Sequence, residues 1–224
     1  ETEFAPKAQF KKALVYEKLG EVDIAVEEYV KLAYKYPDHE LIPSVMSRLG
    51  SYFQAQGLAH KQQAEALEKQ EGDVEAQGEA LKYWDKATKE YLNAARVFKK
   101  LQERFPTDPL AGLAGLRSAQ NYMRARDYNE AVAGFQSVID TEQYDGKTIR
   151  SQAMFWMGIS YERLANIQEA YEIYRRVTFD FPDSVWAKQA RGRLADPAFA
   201  RLIEFEEGAR KAMIQRLKEQ RRNR

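Results

Sequence analysis

Met154-Phe155-Trp156-Met157-Gly158-Ile159-Ser160-Tyr161 is followed at helical spacing by Ala170, Tyr174 and Phe181-Pro182. Apolar residues at positions 154, 157, 158 and 161 share one helix face, and 170, 174 and 181 share a second. A proline ends the second helix. Read together, the stretch is two antiparallel helices, with Gly158 and Ala170 small enough to let their backbones approach.

The same signature recurs upstream. One copy has Ala13, Tyr16, Leu19-Gly20, Ala25, Tyr29 and Tyr36-Pro37; another has Ala119, Tyr122, Tyr128, Ala131 and Phe135. A fourth begins as Met46-x2-Leu49-Gly50-x2-Phe53 and is completed only at Ala94, Phe98 and Phe105-Pro106. The gap between the two small residues is 12 in three copies and 44 from Gly50 to Ala94, a surplus of 32. Centred on the ordinary turn position near Gly57-Leu58, the surplus has its midpoint at Glu71-Gly72-Asp73, where Gly-Asp signals a turn. Both helices of this copy are therefore expected to lengthen by about 16 residues, projecting roughly 24 Å as one hairpin. Val74, Leu81, Trp84, Tyr91, Ala95 and Phe98 give the descending arm an apolar face. The ascending arm has only Leu58 and Leu67 as large apolar residues.

These residues resemble the tetratricopeptide repeat. The resemblance implies an all-α, right-handed superhelix of antiparallel helix pairs, with the second repeat extended into a long helical hairpin. Repeats fall at about 6–39, 43–108 (insert 58–89), 112–145 and 151–184, with a capping helix over 185–195 and a basic amphipathic helix over 196–224. Tyr36-Pro37-Asp38, Phe105-Pro106-Thr107-Asp108 and Phe181-Pro182-Asp183-Ser184 read as junctions that stop one helix and cap the next. The last continues as Val185-Trp186-Ala187-x2-Ala190. It looks like the junction of bacterial envelope repeat proteins, among them outer-membrane assembly lipoproteins and the Tol-Pal periplasmic coordinator. That likeness implies a periplasmic or cell-envelope protein, with the cytoplasm as the alternative.

Composition narrows the function. The 224 residues are 44% apolar and 31% charged, and mean hydropathy is −0.66. That balance suits an elongated stack in which each unit touches only its neighbours. One structural unit is expected. Lys and Arg number 35 against 34 Asp and Glu, so the whole chain has no charge imbalance favouring nucleic acid. With no cysteine, disulfides and thiolate metal sites are excluded. No stretch has the apolar length of a membrane span. The chain opens on Glu1, which suggests that a targeting segment was trimmed.

No cofactor or metal is expected. His39 and His60 lie on different elements without metal-ligand spacing. Gly146-Lys147-Thr148 lacks the upstream glycine and buried strand of a phosphate loop. Acidic runs such as Glu65 to Glu71 suit exposed helix faces. The tail helix sets Leu202, Phe205, Ala209, Met213 and Leu217 on one stripe. From Arg210 to Arg224 it carries seven basic residues and one acid. Membrane contact through this tail is one reading; a solvated end complementing the helix dipole is the other. Nucleic acid is disfavoured, since no aromatics interleave the basic residues to stack bases.

The family resemblance also implies that first helices line a concave groove. The matching positions include Phe10, Leu14 and Lys18; Ser44, Ser47, Ser51 and Gln54; Leu116, Gln120, Met123 and Arg124; and Phe155, Ile159, Arg163 and Trp186. Six of these are too apolar for a face that meets only water: Phe10, Leu14, Leu116, Phe155, Ile159 and Trp186. Relatives that grip a chaperone's C-terminal carboxylate use Lys and Asn at the places of Phe10 and Leu14, so carboxylate capture is not expected. A protein partner with an apolar or amphipathic segment, and no small-molecule substrate, is the expectation; the chain's own C-terminal helix is the alternative occupant. Tyr16, Tyr29, Tyr122, Phe135, Tyr161 and Tyr174 are expected in the core. The function implied is a non-enzymatic scaffold or adaptor. The alternatives are a structural segment of a larger multi-repeat protein and an RNA-binding helical repeat.

Overall fold

The computed structural model describes residues 4–70, 72–144 and 146–222, without the side chains of residues 146–147, 206–207, 209–210, 217 and 220–222. The sequence readings of Glu71, of the Gly146 and Lys147 side chains, and of Ala209 and Leu217 in the tail stripe lie outside that description. The described residues are helical and contain no strand. The helices are α1 (Phe4–Leu19), α2 (Val22–Lys35), α3 (Ile42–Glu68), α4 (Val74–Arg104), α5 (Ala111–Arg124), α6 (Tyr128–Asp140), α7 (Gly146–Arg163), α8 (Ile167–Asp180), α9 (Val185–Leu194) and α10 (Pro197–Arg222). Contacts group them into two compact units, Glu1–Gly134 and Phe135–Arg224.

The turn inside three helix pairs is the same. The N–H of Glu21, Asp127 and Asn166 reaches back to the carbonyl of Tyr16, Tyr122 and Tyr161, at 3.0, 2.9 and 2.9 Å. This bond closes a helix C-terminus when the residue before the donor is left-handed. Gly20 (φ 79°), Arg126 (φ 63°) and Ala165 (φ 59°) fill that place. Only the first is the residue type that takes it without strain.

The junctions between pairs also repeat. Tyr36, Phe105 and Phe181 each donate the last backbone bond of their helix, to Leu32, Leu101 and Val177. Proline follows in each case. Ser184 caps α9, its hydroxyl accepting from the Ala187 N–H at 3.0 Å. Asp108 accepts from Leu110 N–H at 2.8 Å. At the first junction the acceptor for Leu41 N–H is His39 Nδ1, at 3.2 Å. Asp38 instead takes the Arg104 guanidinium at 2.8 Å.

Close approach within a pair differs from expectation. Where the small residue on the first helix is glycine, what stands nearest to it is an aromatic ring on the second helix. A Cβ on Gly158 would stand 2.4 Å from the Tyr174 ring, and one on Gly50 2.8 Å from Phe98. Each ring lies four residues past the alanine, so the alanine's smallness clears the neighbouring turn while the ring fills the glycine's hollow. Tyr29, Tyr122, Phe135 and Tyr174 are buried as expected; Tyr16 and Tyr161 are half-buried.

The extended second pair follows the same rule. α3 has 27 residues and α4 has 31, against 16 and 14 for α1 and α2. Gly50 faces Phe98, and Gly57, seven residues on, faces Tyr91, seven residues back. One more step brings Ala64, which is fully buried, to the level of Trp84. A seven-residue repeat keeps this seam on one face of both helices. The turn falls where the sequence puts it: Gly72 takes φ 85°, and Asp73 caps α4 by accepting from Glu75 and Ala76 N–H at 2.9 and 3.0 Å. Arg126, in the turn after α5, lies over the Trp84 ring at 5.9 Å.

Candidate binding surface

In the first unit the first helices are α1, α3 and α5. Phe10 and Leu14 are half-buried and pack on the core around Ala13, Tyr29 and Val45. The Phe10 ring sits 5.8 Å from Tyr29, with the Arg48 guanidinium over it at 5.9 Å. Leu116 is 2% exposed; it is core and presents nothing to a groove. Gln120 and Met123 are half-buried, while Lys18 and Arg124 are exposed.

What these three helices link across their faces is polar. Arg48 Nη1 donates to both Glu17 carboxylate oxygens at 2.7 Å. Arg117 reaches Ser51 Oγ at 3.4 Å, and Asn121 donates to Gln54 Oε1 at 3.0 Å. A cavity of about 340 Å³ opens beside Glu17, Val22, Tyr29, Ser47, Arg48 and Tyr52.

The second unit is aromatic. Phe155 is 5% exposed, enclosed by the rings of Trp156 and Trp186, both at 5.5 Å, and Tyr174 at 5.8 Å. The chain covers Phe155 with its own aromatics, which is why so apolar a residue can stand at a face position. Ile159 and Trp186 remain half-buried and Arg163 exposed. Beside Trp186 a cavity of about 310 Å³ is lined by Phe181, Pro182 and Val185 together with Ser151, Asp180 and Asp183. The Trp156 indole N–H is buried without a hydrogen-bond partner.

The two units share one construction that sequence reading did not single out. Tyr29 Oη donates to Glu17 at 2.8 Å, and Arg48 closes the group. Tyr174 Oη donates to Glu162, and Arg193 binds the same carboxylate. The spacing is identical: Glu17, Tyr29, Arg48 and Glu162, Tyr174, Arg193 differ by a constant shift. That recurrence was the available signal. Burial, then the bond to Glu162, raises the Tyr174 phenol far above its ordinary value; burial and the bond to Glu17 do the same for Tyr29. Both hydroxyls therefore stay protonated donors. Where the second pair has Phe98 in place of tyrosine, Gln54 replaces the glutamate, and Arg117 lies over the bare ring at 5.7 Å.

His60 Nδ1 faces Gln63 Oε1 at 3.5 Å and its ring stands by Tyr83. Among the described residues no group of three His, Cys, Asp or Glu is arranged to hold a metal, and no helix is long and apolar enough to cross a membrane. α10 docks onto the second unit through Phe199 and Ile203, which are 4% and 7% exposed; Phe199 packs on Tyr174 at 5.9 Å.

The tetratricopeptide repeat family model matches residues 7–39, 113–141 and 152–184. The chain carries tetratricopeptide repeats. The matched segments are the three pairs of ordinary length. The α3–α4 pair lies outside the matched segments; its two small residues, Gly50 and Ala94, stand 44 positions apart. No curated protein matches the chain. Tetratricopeptide repeats are interaction modules, and a protein-binding scaffold is the function class they support.

Proposed function

We propose that this chain is a non-enzymatic adaptor of the bacterial cell envelope, and that it holds an apolar or amphipathic segment of a partner protein against α7 and α9. The observation that carries the reading is the half-covered aromatic surface of the second unit. Trp186 keeps part of its area open and lines a cavity of about 310 Å³, and Ile159 on α7 is half-buried as well; an aromatic anchor next to a pocket is the usual centre of a binding site. The envelope assignment rests on the Phe181-Pro182-Asp183-Ser184 junction and its likeness to envelope repeat proteins.

The test places a photo-crosslinking residue at Trp186 and, as control, at Tyr34, which is 90% exposed. The expected result in native cells is one defined protein adduct at 186, absent at 34 and lost on Ile159→Asp while the melting curve is kept. Equal labelling at both positions, or an adduct indifferent to Ile159→Asp, removes the proposal. A native gene without a secretion signal removes the envelope part alone.

A further inference from the structure

On α3, α5 and α9 the face turned to the preceding helix pair is built the same way, and the matching face stands open on α1. Five residues before the small residue of its helix, α3 has Val45 and α5 has Ala114, 0% and 2% exposed against the preceding pair. Nine residues before, Leu41 and Leu110 are half-buried. In α9 the corresponding residues are Ala190, fully buried, and Trp186, packed on Phe155 at 5.5 Å. Two residues before the small residue, each of these three helices sets an arginine that reaches back to the preceding pair: Arg48 to Glu17, Arg117 to Ser51, Arg193 to Glu162.

α1 has the same pattern with nothing on it. Phe4 stands where Leu41, Leu110 and Trp186 stand, and is 78% exposed. Ala8 stands where Val45, Ala114 and Ala190 are buried, yet it is exposed. Lys11 takes the arginine's place and meets no carboxylate among the described residues. Val15 and Leu19 continue the stripe at 55% and 66% exposure. The end of a repeat stack ordinarily carries a polar outer face. This one keeps the large–small–basic–apolar order of a receiving face.

We propose that the outer face of α1 receives one more helix pair of the same repeat type, stacked ahead of α1 and presenting a carboxylate or hydroxyl to Lys11. The face continues an interface the chain makes between its own pairs. A second copy does not supply the occupant. The two Glu–Tyr faces of the chain are already taken, Glu17 by Arg48 and Glu162 by Arg193. Two α1 faces brought together would oppose Lys11 to Lys11, and α10 would bring further basic charge. The inference is independent of where the partner segment binds on α7 and α9.

The probe is a copy of α7–α8. Trp186 corresponds to Phe4, so residues 151–185 are joined directly ahead of Phe4 in the otherwise complete chain. The expected result is slowed amide exchange throughout α1, at least tenfold over the unextended chain, with the gain lost on Val15→Asp and reduced on Lys11→Glu. In the unextended chain both substitutions should leave α1 exchange within about twofold. Unchanged α1 exchange in the extended chain overturns the proposal, as does an equal effect of Lys11→Glu in both chains. Sedimentation of the unextended chain should give a monomer; a dimer abolished by Val15→Asp would name a second copy as occupant and overturn it as well.

Discussion

At the scale of single residues, the Tyr–Glu–Arg group explains a choice that pattern alone leaves open. A buried tyrosine needs an acceptor for its hydroxyl, and the carboxylate that provides it needs a cation from the next helix. Remove the hydroxyl and the demand goes with it, as Phe98 with Gln54 illustrates. Tyr29→Phe alone should cost about 1 kcal/mol, since Glu17 keeps Arg48 but loses a donor. Glu17→Gln alone should cost about 1–2 kcal/mol by weakening the pairing of Arg48. The double substitution recreates the second pair's solution, so its cost should fall below the sum of the singles by at least about 0.5 kcal/mol. Urea unfolding of the four chains measures the cycle; simple additivity would mean that the group is not a coupled unit. The glycines teach a related lesson. Their spacing was readable as close approach, but what approaches them was not, because a gap in one helix says nothing of which neighbour fills it.

Elements were the most legible part of the chain. The hairpin of α3 and α4 followed from one discrepancy, the surplus between Gly50 and Ala94, and its turn at Gly72-Asp73 from local turn chemistry. The capping helix Val185–Leu194 and the start of α10 at Pro197 were likewise set by Ser184 and by Asp196-Pro197. Less legible was the lateral support of the hairpin, because Arg126 reaches Trp84 through a left-handed turn that its residue type does not announce. The seven-residue step of Gly50, Gly57 and Ala64 against Phe98, Tyr91 and Trp84 makes a prediction about register. Deleting 58–64 together with 84–90 removes one step from each arm and should leave a folded chain whose melting temperature falls by less than about 5 °C, a loss of roughly 1 kcal/mol. Deleting either segment alone leaves one arm a step longer than the other, so the hairpin beyond the Gly57–Tyr91 step loses its partner and should fray back to that step. Circular dichroism melts compare the three; equal tolerance of single and paired deletions would show that the seam does not set the register.

For the molecule as a whole, the candidate groove was the least legible feature, for a physical reason. A helix face that reads as apolar can be turned to a partner or closed by the chain's own side chains, and one sequence cannot distinguish them. Phe155 and Leu116 are closed in this way, whereas Ile159 and Trp186 keep open area. The consequence for stability is local. The unit Glu1–Gly134 contains Trp84, and the unit Phe135–Arg224 contains Trp156 and Trp186. Each has its own core, and a repeat stack is stabilised by terms within pairs and between nearest neighbours. Phe98 is 1% exposed, and Phe98→Ala should cost about 3–5 kcal/mol. That loss should fall on the first unit. In chains retaining Trp84 alone, the urea midpoint should drop by roughly 1.5–2.5 M, given a slope of about 2 kcal/mol/M. In chains retaining Trp186 alone, it should move by less than half as much. Tyr174→Ala should reverse the order, because its ring fills the hollow at Gly158 and supports Phe199. Equal shifts from both reporters for both substitutions would mean one cooperative transition, and the nearest-neighbour account of this stack would fail.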